Sequence, residues 1–460
     1  MNKRILNKLH YVLLALVAGF TACSKNWDDH NAVSLPGLTS NLAVHVSTNA
    51  GISRFYELLV KSGYDKVIAG SKSYTVWAPD NTALQNLDAS LINDSAALRR
   101  FVAGHISNQS YTTGAATVAL SIATLNGKYQ VFTATGFEEA NIEQADEYAS
   151  NGVLHVIDRY VTPRLSIWEY LATTSSAQKD YLHSLDYSAT DSTGVAYVAN
   201  TYTDKTAVNE EAGKFTFFIL ADEGWNLQLQ RLQPFFATDS AAYTLALTQW
   251  ALAKNLVVKG AYAATDLPDT LVSVSGVKVP VNKAAITASY KASNGYVHVI
   301  GNIPFRLQDQ FPAIVVQGES PSGFSRTDKY ANIFYRSKAD AAGNTYNDIM
   351  AYGYQVAQFY IYYSVKQVPA AKYKVYWRAV AGNYDSQTIT FQQRIAFNNW
   401  ETVSLPYTTV TLNNYDEVYL GEYTTTRYGN NTIYLVAANT ATTGQNTLTL
   451  DYLKLVPVTE

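Results

Sequence analysis

A chain of 460 residues is too long for one ordinary hydrophobic core and, at roughly 150 residues per domain, implies about three domains. Its formal charge is only −3, and no basic patch stands out, which argues against a nucleic-acid partner. Charged residues make up 15% and tyrosines number 35, a composition that suits exposed β-sheet and surface recognition better than a cytosolic enzyme.

The chain starts with a basic tip, MNKR, then an apolar run, YVLLALVAGF, then TAC. This is the pattern of a secretory signal. The run of about ten residues is too short to span a bilayer. Cys23 is the only cysteine, so no disulfide forms within the chain. Placed after Phe20-Thr21-Ala22, it resembles the bacterial lipobox, whose cysteine is acylated and becomes the mature N-terminus. The alternative is ordinary cleavage near Ala22. The SKNWDDHN that follows is similar to the surface-export signal of Bacteroidota lipoproteins, or is simply a solvated tether. Residues 1–22 are thus expected to be a lipoprotein signal peptide and 23–40 a tether. Membrane attachment through Cys23 and a surface-exposed place on the outer membrane follow from that.

Next, ISRFYELLVKSGY sets Ile52, Phe55, Tyr56, Leu59 and Val60 near helical spacing. YTVWAPDNTAL reads as a strand running into a corner. Pro79 fixes φ and ends the strand, and Asp80 or Asn81 caps a helix beginning at Thr82-Ala83-Leu84. A nucleophile elbow would need a Gly-flanked Ser or Cys, and a phosphate loop several glycines and a Lys, so the corner reads as structural. FVAGHISNQSY and NGVLHVIDRYVTP follow.

The chain then repeats itself. NGVLHVI at 151–157 returns as NGYVHVI at 294–300, an offset of 143, and Asp80 after YTVWAP finds Asp222 after FTFFILA, an offset of 142. LSIWEYLATTSS opens the second copy and LALTQWALAKNLVVKGAY lies inside it. A duplicated α+β unit of roughly 140 residues is implied, large enough to fold alone. His155 and His298 sit in near-continuous apolar strands. One reading makes them ligands or general bases; the other makes them buried histidines holding a backbone carbonyl, with the same task in each copy. No HExxH, HxxxH or Cys/His cluster occurs, so neither zinc nor any other cofactor is expected.

YTVWAPDNTAL, FVAGHISNQSY and NGVLHVIDRYVTP resemble the first, central and closing motifs of the fasciclin (FAS1) domain. The resemblance covers roughly residues 41–307 and implies fasciclin-like domains at 41–163 and 164–307. The second is divergent: ILADEGW stands where Ala-Pro-Asp-Asn is expected, and Leu256 lies near the place of His105. The resemblance also makes His105, the family's central histidine, an adhesion candidate.

From about Gln308 the texture changes. Residues 310–460 hold 18 of the 35 tyrosines, with 11 basic and 11 acidic residues. A neutral, tyrosine-rich module suits an uncharged polar ligand such as a sugar. In QFYIYYSVKQV, Phe359, Ile361, Tyr363 and Val365 share one face, and Tyr360, Tyr362, Ser364 and Lys366 the other. In KYKVYWRAV, Tyr373, Val375, Trp377 and Ala379 share the buried face. Half-buried antiparallel strands alternate in this way, and their short spacing over 308–460 suggests a β-sandwich. The close, NTIYLVAAN…NTLTLDYLKLVPV, resembles galactose-binding-like jelly rolls, carbohydrate-binding modules among them.

Two aromatic sets are candidates for a sugar: the outward Tyr360, Tyr362 and Tyr376, and Trp400 beside Asn398 and Asn399. Rings stack on sugar CH faces and amides meet hydroxyls. The competing readings are an outer sheet face and an edge plug. Residues 320–348 read as a long polar loop, in which Asp340, Asn344, Asn347 and Asp348 are calcium-type oxygens without a DxDxDG run.

The expected fold is multidomain: two α+β fasciclin-like domains followed by an all-β sandwich of jelly-roll type. The expected function is a non-enzymatic surface lipoprotein that binds a glycan or protein ligand, as an accessory subunit of a SusC/SusD-type nutrient importer. The alternative is an adhesin acting through the fasciclin-like domains. A glycoside hydrolase would need two carboxylates about 5–10 Å apart. Glu319, Glu401, Asp416, Glu417 and Glu422 are available, but no spacing pairs them.

Overall fold

The structure, a computed structural model, describes residues 39–382, 390–442 and 445–459. Cys23, the signal segment and nearly all of the tether lie outside the described residues. Among the described residues no helix is long and apolar enough to cross a membrane. The chain divides into two compact units. The first runs to Ser166 and takes in Glu210–Ala212 and Ala292–Asn294; the second holds the rest.

In the first unit, helix Ser53–Ser62 buries Phe55, Leu58 and Leu59 and ends on Gly63 in the left-handed region, φ 78°. Val60, expected on the buried stripe, is 48% exposed. The buried stripe runs through Leu58 instead, which the spacing had left out. Strand Tyr74–Pro79 is buried along its length and pairs in parallel with Gly152–Ile157. On its other side it pairs antiparallel with Ile106–Ser107. Gly152 is needed at the start of this pairing. Its φ is +152°, and a Cβ there would collide with the Tyr74 carbonyl. Trp77 is wholly buried and stacks on Phe137 with centroids 4.4 Å apart.

The corner after Pro79 differs from expectation. Residues 81–86 form turns, and the next helix is Ala89–Asn93. Asp80 caps only a turn, accepting the Ala83 N–H at 2.5 Å. The Asn81 side chain accepts the Arg54 N–H at 2.9 Å and donates to the Ala50 carbonyl at 2.8 Å. The amide therefore ties back to the start of the earlier helix and is spent before it can cap the next one.

The second unit repeats this pattern. Strand Phe215–Leu220 pairs in parallel with Gly295–Ile300 and antiparallel with Val257–Lys259. Gly295, φ +147°, lies against the Phe215 carbonyl as Gly152 lies against Tyr74. The registers equate Ile106 with Val257, so Leu256 occupies the place of His105. The copies differ before the parallel strand. In the first, Gly63 alone separates helices Ser53–Ser62 and Tyr64–Ile68. In the second, a hairpin of Asp186–Thr190 and Ala196–Asn200 stands between helices Ala177–His183 and Thr201–Thr206.

The last part of this unit is a β-sandwich. A four-stranded sheet runs Ile314–Gln317, Tyr452–Pro457, Ala371–Arg378, Val418–Thr425. A five-stranded sheet runs Gly323–Phe324, Tyr360–Val368, Gly429–Ala437, Phe391–Phe397, Thr408–Val410. A three-stranded sheet joins Ile333–Ala339, Thr345–Tyr352 and Thr447–Leu450. Ile361, Tyr363, Tyr373, Val375 and Trp377 lie in one shared core. The stretch read as a long polar loop thus contains a hairpin. Arg336 and Asp348 explain it: they look polar in sequence but pair across the strands, with Asp348 fully buried.

An aromatic clasp joins this sandwich to the second copy. Phe235 stacks on Phe311 at 4.2 Å, and Phe236 meets Tyr428 at 5.3 Å. The Ala370 N–H donates to the Phe235 carbonyl at 2.8 Å and the Tyr428 N–H to that of Ala237 at 2.7 Å.

Candidate functional site

The outer face of the five-stranded sheet carries the candidate site. Strand alternation turns Ile361 and Tyr363 into the core and leaves Tyr360 and Tyr362 half-buried on the other side. Tyr434, on the adjacent strand, lies directly opposite Tyr362. Its ring meets Tyr360 edge-on at 5.1 Å and Tyr362 at 6.1 Å. Trp400 comes over this face from the segment after Phe397 and stacks on Tyr360 at 5.3 Å, 29° between planes. Burial and the neighbouring tyrosines push the Tyr360 phenol above its ordinary pKa, so it stays neutral.

Asn398 and Arg394 hold Trp400 there. Asn398 turns the chain at φ +59°. Its side chain accepts the Thr432 N–H at 2.9 Å and donates to Asn431 at 2.8 Å. Asn399 accepts the Glu401 N–H at 3.0 Å. Arg394, 1% exposed, donates to the carbonyls of Trp400 at 2.6 Å and Thr402 at 3.1 Å and lies under the Tyr407 ring. Asn398, expected to meet ligand, already spends its amide on Thr432 and Asn431. A cavity of about 430 Å³ opens nearby, lined by Phe391, Gln392, Tyr407, Asn439 and Gln445.

Tyr376 does not join the others. It lies on the four-stranded sheet, packed on Tyr419 at 5.3 Å with the Lys454 ammonium 6.0 Å from its ring. Alternation gives the face of a strand, not the sheet it enters. Tyr434 and Tyr407 were missed. NTIYLVAAN carried the signal for the first, since Ile433 and Leu435 point inward.

His105, His155 and His298 are buried and bonded to backbone groups. His155 is fully buried; its Nδ1 accepts the Asp146 N–H at 3.2 Å, so Nε2–H donates to the Tyr111 carbonyl at 3.0 Å. His298 donates from Nε2 to the Tyr262 carbonyl at 2.9 Å. Burial lowers the pKa of both. His105, the adhesion candidate, is fully buried too. Nδ1–H donates to the Phe101 carbonyl at 2.9 Å and Nε2 accepts the Val161 N–H at 3.0 Å. Burial pulls its pKa to about 4. With both nitrogens engaged inside the domain, His105 has no atom to offer a partner.

The two carboxylates among the calcium-type residues are also engaged. Asp340 accepts the backbone N–H groups of Ala342 and Asn344, and Asp348 is held by Arg336. Among the described residues no cluster of His, Cys, Asp and Glu is arranged to hold a metal. Of the five acids weighed for hydrolysis, Glu417 is paired with Lys454 and Glu422 with Lys372.

Comparison with known proteins agrees with the first unit. Residues 50–163 match the fasciclin domain, so the chain contains a FAS1 domain. It is also 27% identical over 137 residues to the transforming growth factor-beta-induced protein ig-h3 of Sus scrofa, an alignment covering 27% of this chain and 20% of that protein. The chain thus spans about a fifth of that relative's length. Among solved structures, a FAS1 domain pair from the insect cell adhesion molecule fasciclin I aligns with 57% of this chain and 99% of its own, at 17% identity and TM-score 0.25. A carbohydrate-binding module, CBM36, in complex with calcium and xylotriose aligns with 31% of this chain and 98% of its own, at 15% identity and TM-score 0.22.

Proposed function

We propose that this is a non-enzymatic binding protein whose sandwich holds a neutral glycan on the outer face of its five-stranded sheet. The observation that carries this is the stack of Tyr360 on Trp400 beside Tyr362 and Tyr434, a half-exposed aromatic platform of four rings. A sugar ring lays its CH face on such a platform. In the same reading the chain is lipidated at Cys23, sits on the outer membrane facing outward, and serves as an accessory subunit of a SusC/SusD-type importer, with the fasciclin domain and its repeat as the stalk. Affinity electrophoresis through polysaccharide gels tests the site: retardation that Trp400→Ala abolishes supports it, and equal mobility of the variant removes it. Co-purification of a TonB-dependent barrel with the detergent-extracted protein tests the importer.

A second reading, adhesion, draws on the fasciclin domain itself. It predicts attachment to cells or matrix that survives loss of residues 308–460. Because His105 is buried, its contacts would come from other residues.

A further inference from the structure

The hairpin that distinguishes the second copy from the first builds a separate cavity. It has a volume of about 540 Å³ and is lined by Trp168, His183, Asp186, Tyr197, Asn200 and Asp204, among others. The first copy makes the same helix-to-helix step with one glycine, so the fold does not require the insertion. Its turn is nonetheless well built. Asp191 accepts the N–H groups of Thr193 at 2.8 Å and Val195 at 2.9 Å.

The lining is polar on one side and aromatic on the other. Asn200 is buried and holds Asp186 at 2.6 Å while capping the next helix through the Tyr202 N–H. Asp204 accepts the Tyr187 hydroxyl at 2.7 Å. Among the described residues, neither carboxylate has a lysine or arginine within ion-pair distance, and the nearest basic group is His183, 3.6 Å from Asp186. The His183 ring packs on Trp168 at 5.0 Å, and its Nε2 is buried without a hydrogen-bond partner. Tyr197 and Val198, 52% and 73% exposed, supply an apolar rim.

We infer that this cavity binds an organic cation with an apolar stem, an ammonium or guanidinium of the lysine or arginine kind. Asp186 and Asp204 take the charge, and Trp168, Tyr197 and Val198 contact the stem. Two carboxylates without a lysine or arginine partner, one of them beside only the His183 imidazole, favour a cation over a neutral ligand, and an aromatic wall adds cation–π attraction. The site is independent of the glycan platform, which lies on the sandwich.

Titration calorimetry on the full chain in detergent tests it. The probes are Nα-acetyl-lysine methylamide, its arginine counterpart, putrescine, and Nα-acetyl-norleucine methylamide as the uncharged control. Saturable binding of a cation, weakened about tenfold or more in Asp204→Asn and Asp186→Asn and reduced by salt, is expected. Asp204 is exposed on a helix, so its variant keeps the fold, checked by circular dichroism. Binding of the blocked amino acids identifies a protein side chain as the natural source; binding of putrescine alone identifies a free amine. Norleucine binding as tight as lysine, unchanged affinity in Asp204→Asn, or no saturable binding of any cation overturns the inference.

Discussion

Trp400 and Tyr360 stack at 5.3 Å, although one comes from a turn and the other from a strand two places across the sheet. Each ring restricts the other, so they act as one surface. Trp400→Ala and Tyr360→Ala should each weaken glycan retention about tenfold, roughly 1.4 kcal/mol. The double variant should lose less than the sum, because removing either ring frees the other. A strictly additive double-mutant cycle would show that the rings bind separately.

Arg394 should matter without touching ligand. Arg394→Leu removes the donors that hold the Trp400 and Thr402 carbonyls. Glycan affinity should fall while the sandwich still melts as one transition. Trp400 fluorescence should shift toward that of an exposed indole; an unshifted spectrum with unchanged affinity would mean the segment holds its place by other contacts.

His105 should make the first unit sensitive to acid. Its pKa is about 4 when folded against 6.5 for the free group. The unfolded chain therefore binds the proton first, and stability present above pH 6.5 is lost as pH falls toward 4. The difference of about 2.5 units is worth at most ~3 kcal/mol. Urea melts of wild type and His105→Leu at pH 7.5 and 4.5 check this. Leu256 holds the same place in the second copy, so leucine fits such a site. The variant should be less stable at pH 7.5, through the Val161 N–H left without its acceptor, yet lose less on acidification.

Gly152→Ala and Gly295→Ala should each break their own copy. The added carbon meets the carbonyl of Tyr74 or Phe215 at a φ that disfavours it. A cost on the order of 3 kcal/mol or more is expected. In Gly152→Ala, hydrogen exchange should rise along Tyr74–Pro79 while the sandwich stays protected.

The second copy and the sandwich should unfold together. Phe311→Ala removes the ring that Phe235 and Phe236 both contact. Calorimetry should then show an extra transition that wild type lacks. A single unchanged peak would mean the backbone bonds of the clasp are enough.

Much of the fold was legible because strong periodicity leaves few options. The two Asn-Gly-x-x-His segments announced a duplication, and the alternation in QFYIYYSVKQV placed Tyr363 inside and Tyr360 outside. What failed were side chains whose job depends on distant partners. Asn81 looks like a helix cap and is one, but for a helix behind it. Asp348 looks like a loop oxygen and is a buried ion-pair partner. Three of the four platform rings, Tyr360, Tyr362 and Trp400, were readable and Tyr434 was not, and Tyr376 was wrongly grouped with them, because no local pattern tells which sheet a strand enters. The hairpin at Asp186–Asn200 had a signal in DYSATDSTGVAYVAN, two alternating runs around Asp-Ser-Thr-Gly, that went unread.

In both copies the early strand waits for a late one. Tyr74–Pro79 needs Gly152–Ile157, Phe215–Leu220 needs Gly295–Ile300, and in the sandwich Ile314–Gln317 needs Tyr452–Pro457. On the ribosome each module therefore stays open until its closing strand has been translated. A product of premature termination carries an apolar strand with a bare edge, the kind of surface that pairs with other chains. The order of the strands thus makes the last-made segment of each module the one that seals its edge.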